Sequence, residues 1–104
     1  MTAISMLING EHVQATGGAT FERRNPLDGS VATTAPAASV ADAKAAADAA
    51  AKAFPAWSAL GPNARRALLL KAAHALEART ADFAVAMAAE TGASGNTVDR
   101  KSVV

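Results

Sequence analysis

The pattern of apolar and polar positions changes once along the chain, near residue 40. Before that point, short β-prone runs are separated by turn-forming residues, and Asn9-Gly10 is a strong hairpin signal because both positions tolerate a positive φ. Pro26-Leu27-Asp28-Gly29 likewise predicts a chain reversal. This half of the chain therefore predicts short antiparallel β-hairpins within about residues 6–34, arranged as a meander. The predicted strands are 6–8, 12–13, 20–24 and 31–34.

After residue 40, apolar positions recur at spacings of three and four, which predicts amphipathic helices. Ser39 followed by Asp42 has the pattern of a capping box and predicts a helix that begins at Val40. Pro55 lacks the backbone N–H and disfavours helical geometry in the residue before it, so this helix is expected to end at Phe54. Its predicted apolar face consists of Val40, Ala43, Ala47, Ala50 and Phe54.

A second helix is predicted over about 63–79, after the break at Gly61-Pro62. Its cap is expected at Asn63 or at the residue before it. Arg65 and Arg66 lie near this N-terminus, where free N–H groups favour anions, but we expect one arginine to tether the helix to a carboxylate or carbonyl and the other to be solvated. The predicted buried stripe consists of Leu68, Leu69, Ala72, Ala73 and Leu76.

Near Thr80 the second helix is expected to bend or to restart and to continue over about 81–91, which gives two or three helices in all. Thr80 followed by Asp82 is an N-cap signal, and Gly92 is well placed to end the helix. The two glycines and the hydroxyl of 92–95 follow a helix rather than a strand, so the context of a phosphate-binding loop is missing. We interpret this segment as a helix C-cap.

The composition limits the size of the hydrophobic core that the chain can form by itself. Alanine accounts for 30 of the 104 residues, so the apolar fraction of 51% leaves few side chains large enough to build a core. We expect the isolated chain to be only marginally folded, with loose tertiary packing. The density of alanine favours helices that pack closely against something large.

The sequence also excludes several kinds of site within this chain. It has no cysteine, and so neither a disulfide, nor a thiolate metal site, nor a cysteine nucleophile. The net charge of +1, without a basic stripe, makes nucleic acid an unexpected partner. No signal peptide or membrane span is predicted, and the expected location is the cytoplasm. His12 and His74 lack ligand partners at metal-binding spacing and are expected to be ordinary surface or half-buried residues.

The order and spacing of these features resemble the N-terminal segment of the aldehyde dehydrogenase superfamily. The resemblance extends from Leu7-Ile8-Asn9-Gly10-Glu11 to Glu90-Thr91-Gly92, or most of the chain. The sequences TFERRNPLDG, AFPAWSALGP and RALLLKAA most resemble the branch that oxidises aromatic aldehydes such as salicylaldehyde or vanillin.

The resemblance implies an α/β fold, in which residues 1–98 form an incomplete N-terminal segment of a Rossmann-type NAD(P)-binding domain. In the full family, a cysteine thiolate attacks the aldehyde, hydride passes to NAD or NADP, and a glutamate-activated water releases the acid. Those residues lie beyond residue 104, so this chain is expected to have no catalytic, cofactor-binding or metal residues and no activity. Its expected partner is the remainder of its own domain, in a parent enzyme that forms a homo-oligomer.

The resemblance also draws attention to Glu90, because an acid at this position and strand carbonyls near Arg23 and Arg24 help to hold a structural monovalent cation in the family. The residue pattern itself favours a glutamate that faces water. The tail, 99–104, is not periodic. Its six residues are encoded by GATCGGAAGAGCGTCGTG, which resembles a DNA-library adapter, and we interpret the tail as non-native.

Two other classes of protein remain open from the residues alone. A stand-alone helical interaction module would explain the alanine-rich helices but would not explain the strands and their turns. A small regulatory or structural subunit that completes the sheet of another protein fits strands that lack enough partners. Either alternative would act without catalysis.

Overall fold

A computed structural model describes residues 2–93 of the chain. These residues form five strands and one short 3-10 turn, followed by three α-helices. The α/β class and the order of hairpins and then helices are confirmed. The elements are β1 (Thr2–Ala3), β2 (Met6–Ile8), β3 (Glu11–Val13), the 3-10 turn (Thr16–Gly18), β4 (Thr20–Arg24), β5 (Val31–Pro36), α1 (Val40–Ala59), α2 (Pro62–Glu77) and α3 (Thr80–Thr91).

The strands form two separate sheets, so the predicted continuous meander is wrong. Strands β2 and β3 make a two-stranded antiparallel hairpin, and β5 lies between β1 and β4 in a second sheet. Strand β4 pairs with β5 in an antiparallel manner, whereas β1 pairs with β5 in parallel. Gly17 and Gly18, both with positive φ, turn the chain between β3 and β4. Strands β3 and β4 therefore do not pair with each other and lie in different sheets.

Helix α1 extends further than its sequence predicts. The capping box is confirmed: Ser39 accepts from the backbone N–H of Asp42, and the Asp42 side chain accepts from the backbone N–H of Ser39. The expected end at Phe54 is wrong, because the helix continues through Pro55 to Ala59. A proline within a helix removes one backbone hydrogen bond and crowds the preceding turn. In α1 the helical residues on both sides of Pro55 outweigh this cost.

The predicted caps of the other helices need correction. Gly61 is the N-cap of α2 and Pro62 is its first residue, where the missing N–H of proline costs no hydrogen bond. The N-cap of α3 is Arg79 rather than Thr80. The Thr80 hydroxyl instead donates to the carbonyl of Glu77 at 2.7 Å, so it stabilises the end of the preceding helix.

The predicted end of α3 at Gly92 is confirmed. Gly92 has a φ of +67° and its N–H donates to the carbonyl of Ala88 at 3.1 Å. A left-handed residue of this kind satisfies carbonyls that a helix end leaves open, and glycine adopts the conformation without a steric penalty.

The core of the described residues is small and centred on β5. Ala15, Thr33, Ala35 and Pro36 are buried, and α3 packs across β4 and β5. The radius of gyration of the Cα atoms is 17.0 Å, whereas a compact domain of this length is expected to have a radius of gyration of about 13 Å. The chain is therefore less compact than a typical domain, and its smallest extent is 15 Å.

The described helices include none that is long and apolar enough to cross a membrane.

Candidate functional site

Glu90 links α3 to the sheet. One carboxylate oxygen accepts from the hydroxyl of Thr33 at 2.7 Å, and the other pairs with Nε of Arg23 at 3.0 Å. The Glu90 side chain is 26% exposed, and Thr33 is buried. The expectation of a glutamate that simply faces water is therefore wrong, because both of its oxygens bind partners on β4 and β5.

The turn between β4 and β5 packs against the end of the same helix. Asn25 Oδ1 accepts from the N–H of Leu27 at 2.9 Å, and the carbonyl of Asn25 accepts from the N–H of Gly29 at 2.8 Å. Pro26 and Leu27 lie against Gly92, where an added Cβ would be 3.4 Å from the proline ring. The NP-x-x-G turn thus orients β4 and β5 and also contacts the C-terminus of α3.

A second polar cluster surrounds Asp42 at the start of α1. Its carboxylate accepts from the hydroxyl of Thr16 at 2.6 Å, from the N–H of Thr16 at 3.1 Å and from the N–H of Ser39 at 2.8 Å. These bonds favour the charged form. The Thr16 hydroxyl and then the Ser39 N–H hold the pKa of Asp42 well below its usual range. The cluster ties the 3-10 turn to α1.

A shallow groove of about 370 Å³ separates the tip of the β2–β3 hairpin from α1. The hairpin lines it with 7–10, and the helix contributes only alanines. These alanines lie on a different face from the predicted apolar stripe, of which only Ala50 is shared, and Val40 and Phe54 are exposed. Because alanine side chains are small, this face of α1 leaves an open groove beside the hairpin tip. The helical residues of the groove are Ala46, Ala49, Ala50 and Ala53.

The predicted buried stripe of α2 is exposed. All residues of the helix apart from the half-buried Arg65 are exposed. We call this the α2 surface, and its large apolar side chains are Leu68, Leu69, Leu70 and Leu76.

The histidines and arginines singled out by the sequence do not come together. His12 lies on β3, where its Nδ1 is 2.8 Å from the hydroxyl of Ser5, and His74 is exposed on α2. The side chains of Arg65 and Arg66 make no hydrogen bond or ion pair within residues 2–93, so the expected tether from one of them is not found there. No group of three or more potential metal ligands occurs in this part of the chain.

The glycines of the described residues lie in turns and at a helix end. Those with positive φ lie in the β2–β3 turn, the 3-10 turn, the β4–β5 turn and the end of α3. A pyrophosphate cradle requires a glycine-rich turn from a strand into a helix. No glycine-rich turn from a strand into a helix occurs in the part of the chain that the structure describes.

The sequence of this chain is similar to the sequences of known dehydrogenases. The aldehyde dehydrogenase family model matches residues 12–103. A vanillin dehydrogenase from Pseudomonas fluorescens is 51% identical over 96 residues, which are 92% of this chain and 20% of that protein. A salicylaldehyde dehydrogenase from Pseudomonas putida is 44% identical over 89 residues, which are 86% of this chain and 18% of that protein.

Solved structures agree with the sequence matches. A salicylaldehyde dehydrogenase from Pseudomonas putida G7, complexed with salicylaldehyde, has a TM-score of 0.89 and 38% identity over 98% of this chain and 22% of that one. PnpE, in complex with nicotinamide adenine dinucleotide, has a TM-score of 0.85 and 37% identity over 97% of this chain and 20% of that one. The segment therefore has the α/β fold of the N-terminal part of these dehydrogenases.

The chain belongs to the aldehyde dehydrogenase family, with aromatic-aldehyde dehydrogenases among its relatives. It spans about a fifth of the length of the curated relatives it matches. The sequence alone was enough to predict the family, but it did not show the contacts of Glu90 with Thr33 and Arg23. Those partners are far away along the chain, and no local pattern joins them.

Proposed function

We propose that this chain is the N-terminal part of an NAD(P)-dependent aldehyde dehydrogenase that oxidises an aromatic aldehyde to the carboxylic acid. The observation that carries the proposal is the identity of 51% to a vanillin dehydrogenase over nearly the whole chain. The similarity to a structure that holds salicylaldehyde and to another that holds nicotinamide adenine dinucleotide supports the substrate class and the cofactor.

We further propose that the 104-residue chain has no activity of its own and binds no nicotinamide cofactor. The chain has no cysteine to form the thiohemiacetal that the family mechanism requires. Its glycine turns within residues 2–93 lack the strand-to-helix arrangement that cradles a pyrophosphate. In this proposal residues 1–98 require the rest of their domain, and the tail 99–104, which lies outside the described residues, is not native.

Two measurements test the proposal. The first is the DNA sequence downstream of the Val98 codon, where we expect the reading frame to continue through a glycine-rich strand-to-helix turn and a cysteine codon. The second is a fusion in which residues 1–93 replace the corresponding segment of the salicylaldehyde dehydrogenase from Pseudomonas putida. The fusion should reduce NAD or NADP in the presence of salicylaldehyde, while the 104-residue chain alone should not.

A stop codon directly after Val104 in the source locus would contradict the enzyme proposal. The small regulatory subunit would then be favoured, and a partner gene near the locus would be expected. An inactive but folded fusion would contradict the assignment of this segment to a working dehydrogenase of this class.

A further inference from the structure

Asn9 and Gly10 form the tip of the β2–β3 hairpin, and both are exposed. Their φ angles are +54° and +76°, as a two-residue hairpin turn of this kind requires. The Asn9 side chain and the Gly10 N–H make no hydrogen bond within residues 2–93. A Cβ added to Gly10 would meet no heavy atom within 4 Å. The side-chain amide and the backbone nitrogen that follows it are therefore both open to water.

The hairpin that carries this turn is weakly supported. Each of its strands has three residues, and no third strand joins them in the part of the chain that the structure describes. A two-stranded hairpin by itself is only marginally stable in water. The tip borders the open groove along α1, and Leu7 beside it is 67% exposed. The turn can therefore open at little cost in packing and bring the Gly10 nitrogen to the side-chain carbon of Asn9.

These two groups can react with each other. A base from the solvent removes the proton of the Gly10 N–H, and the nitrogen then attacks Cγ of Asn9. The new N–C bond closes a succinimide ring while the C–N bond of the side-chain amide breaks, and ammonia leaves with a proton from water. Glycine favours this step because it has no side chain to crowd the attacking nitrogen and its backbone turns freely.

Water then opens the succinimide ring. Cleavage of the bond between the nitrogen and Cγ leaves aspartate, whereas cleavage of the bond between the nitrogen and the main-chain carbonyl carbon leaves isoaspartate. In both cases the net change is the loss of ammonia and the addition of water. No atom is oxidised or reduced, so water is the only other reactant.

The Asp28-Gly29 pair of the β4–β5 turn is held in a different way. The Gly29 N–H donates to the carbonyl of Asn25 at 2.8 Å. Asp28 Oδ1 accepts from the hydroxyl of Ser30 at 2.6 Å and from its N–H at 2.9 Å, and these bonds lower the pKa of Asp28 because they favour its charged form. The nitrogen and the carboxylate must both break hydrogen bonds before they can meet. This turn is therefore protected from the same reaction.

We propose that Asn9 is a site of spontaneous deamidation and isoaspartate formation in this chain, because the exposed hairpin tip leaves its amide and the Gly10 nitrogen without hydrogen-bond partners. Isoaspartate places an additional carbon atom in the main chain between residues 9 and 10. The two-residue turn then no longer fits the pairing of Ile8 with Glu11. Aspartate followed by glycine suits the turn, so only the isoaspartate product disrupts the hairpin.

The test is incubation of the 104-residue chain in neutral buffer at physiological temperature, followed by digestion with trypsin. Cleavage after Arg23, Arg24 and Lys44 separates the two turns, which fall in 1–23 and 25–44. Compared with a sample digested at once, we expect mass spectrometry to show conversion of an amide to an acid in 1–23. An isoaspartyl methyltransferase should also label this peptide. Asn9→Gly keeps the turn, since Gly-Gly suits it, and should abolish both signals.

Asp28→Asn is the matched comparison, because it places the same dipeptide in the protected turn and keeps an acceptor oxygen for Ser30. In native buffer, the amide at position 9 should be lost about fivefold or more faster than the amide introduced at position 28, whose reaction requires broken hydrogen bonds. In urea, which unfolds both turns, the two rates should converge. Equal rates in native buffer would overturn the inference. An intact amide in 1–23 after a time in which the urea sample has reacted would overturn it as well.

Discussion

At the scale of single residues, two carboxylates make long-range side-chain contacts between elements of the described segment. Glu90 joins α3 to β4 and β5 through Arg23 and Thr33. Asp42 joins the 3-10 turn to α1 through Thr16. In both cases one side chain satisfies donors from distant parts of the chain, so its removal leaves polar groups without partners.

Replacement of Glu90 by alanine should loosen α3. Thr33 is buried and would lose the acceptor for its hydroxyl, a loss that costs about 1–3 kcal/mol. We expect amide hydrogen exchange in α3 to accelerate by a factor of about 5 or more. Glu77→Ala is the matched control, because the Glu77 side chain is exposed on α2 and makes no ion pair within the described residues. Equal acceleration in both variants would contradict the role of Glu90.

The contact between Asp42 and Thr16 should depend on pH in the acid range. Hydrogen bonds from the Thr16 hydroxyl and the Ser39 N–H lower the pKa of Asp42 in the folded chain, relative to about 3.9 for an ordinary aspartate. Its stabilising contribution is therefore complete above about pH 4 and is lost as the pH falls through the lower folded value. The amide proton shift of Thr16 should follow this titration in NMR spectra. In Asp42→Asn, the Thr16 shift should show no acid transition.

At the scale of elements, α1 is notable for the proline that it contains. Pro55 lies within the last two turns of the helix and leaves the carbonyl of Ala51 without its usual backbone donor. The capping box at Ser39 and the alanines that follow it provide strong helix formation up to that point. The helix therefore tolerates Pro55 and continues to Ala59.

Replacement of Pro55 by alanine should stabilise the end of α1, since proline within a helix is about 3 kcal/mol less favourable than alanine. We expect greater helix content by circular dichroism and slower hydrogen exchange for 55–59. Pro62→Ala is the control, because Pro62 is the first residue of α2 and proline is well accommodated there. A larger gain from Pro62→Ala than from Pro55→Ala would contradict this account.

At the scale of the whole molecule, the described segment is a thin layer with apolar side chains on its outside. Its buried residues are few and mostly small, so little apolar surface opposes the conformational entropy of unfolding. The large exposed apolar side chains lie on all three helices and on the hairpins. They include Leu7, Phe21, Leu27, Phe54, Trp57, Leu69 and Phe83.

We expect the isolated 104-residue chain to unfold over a broad temperature range and to bind an apolar dye such as ANS. This behaviour is typical of states with formed secondary structure and loose packing. The same segment within the fusion enzyme should unfold together with the rest of the protein and lose its dye binding. A sharp two-state melt of the isolated chain, with slow exchange throughout the helices, would contradict this prediction.

The sequence by itself determined the local features: the hairpin turn at Asn9-Gly10, the capping box at Ser39, the stop at Gly92 and the membership of the aldehyde dehydrogenase family. Each depends on neighbouring residues or on their order along the chain, and both are contained in the sequence. Only the tertiary structure decided that the strands divide between two sheets, that α1 passes through Pro55, and that Glu90 binds Thr33 and Arg23. These outcomes depend on which distant segments meet, because free energies of packing between separate elements outweigh local preferences.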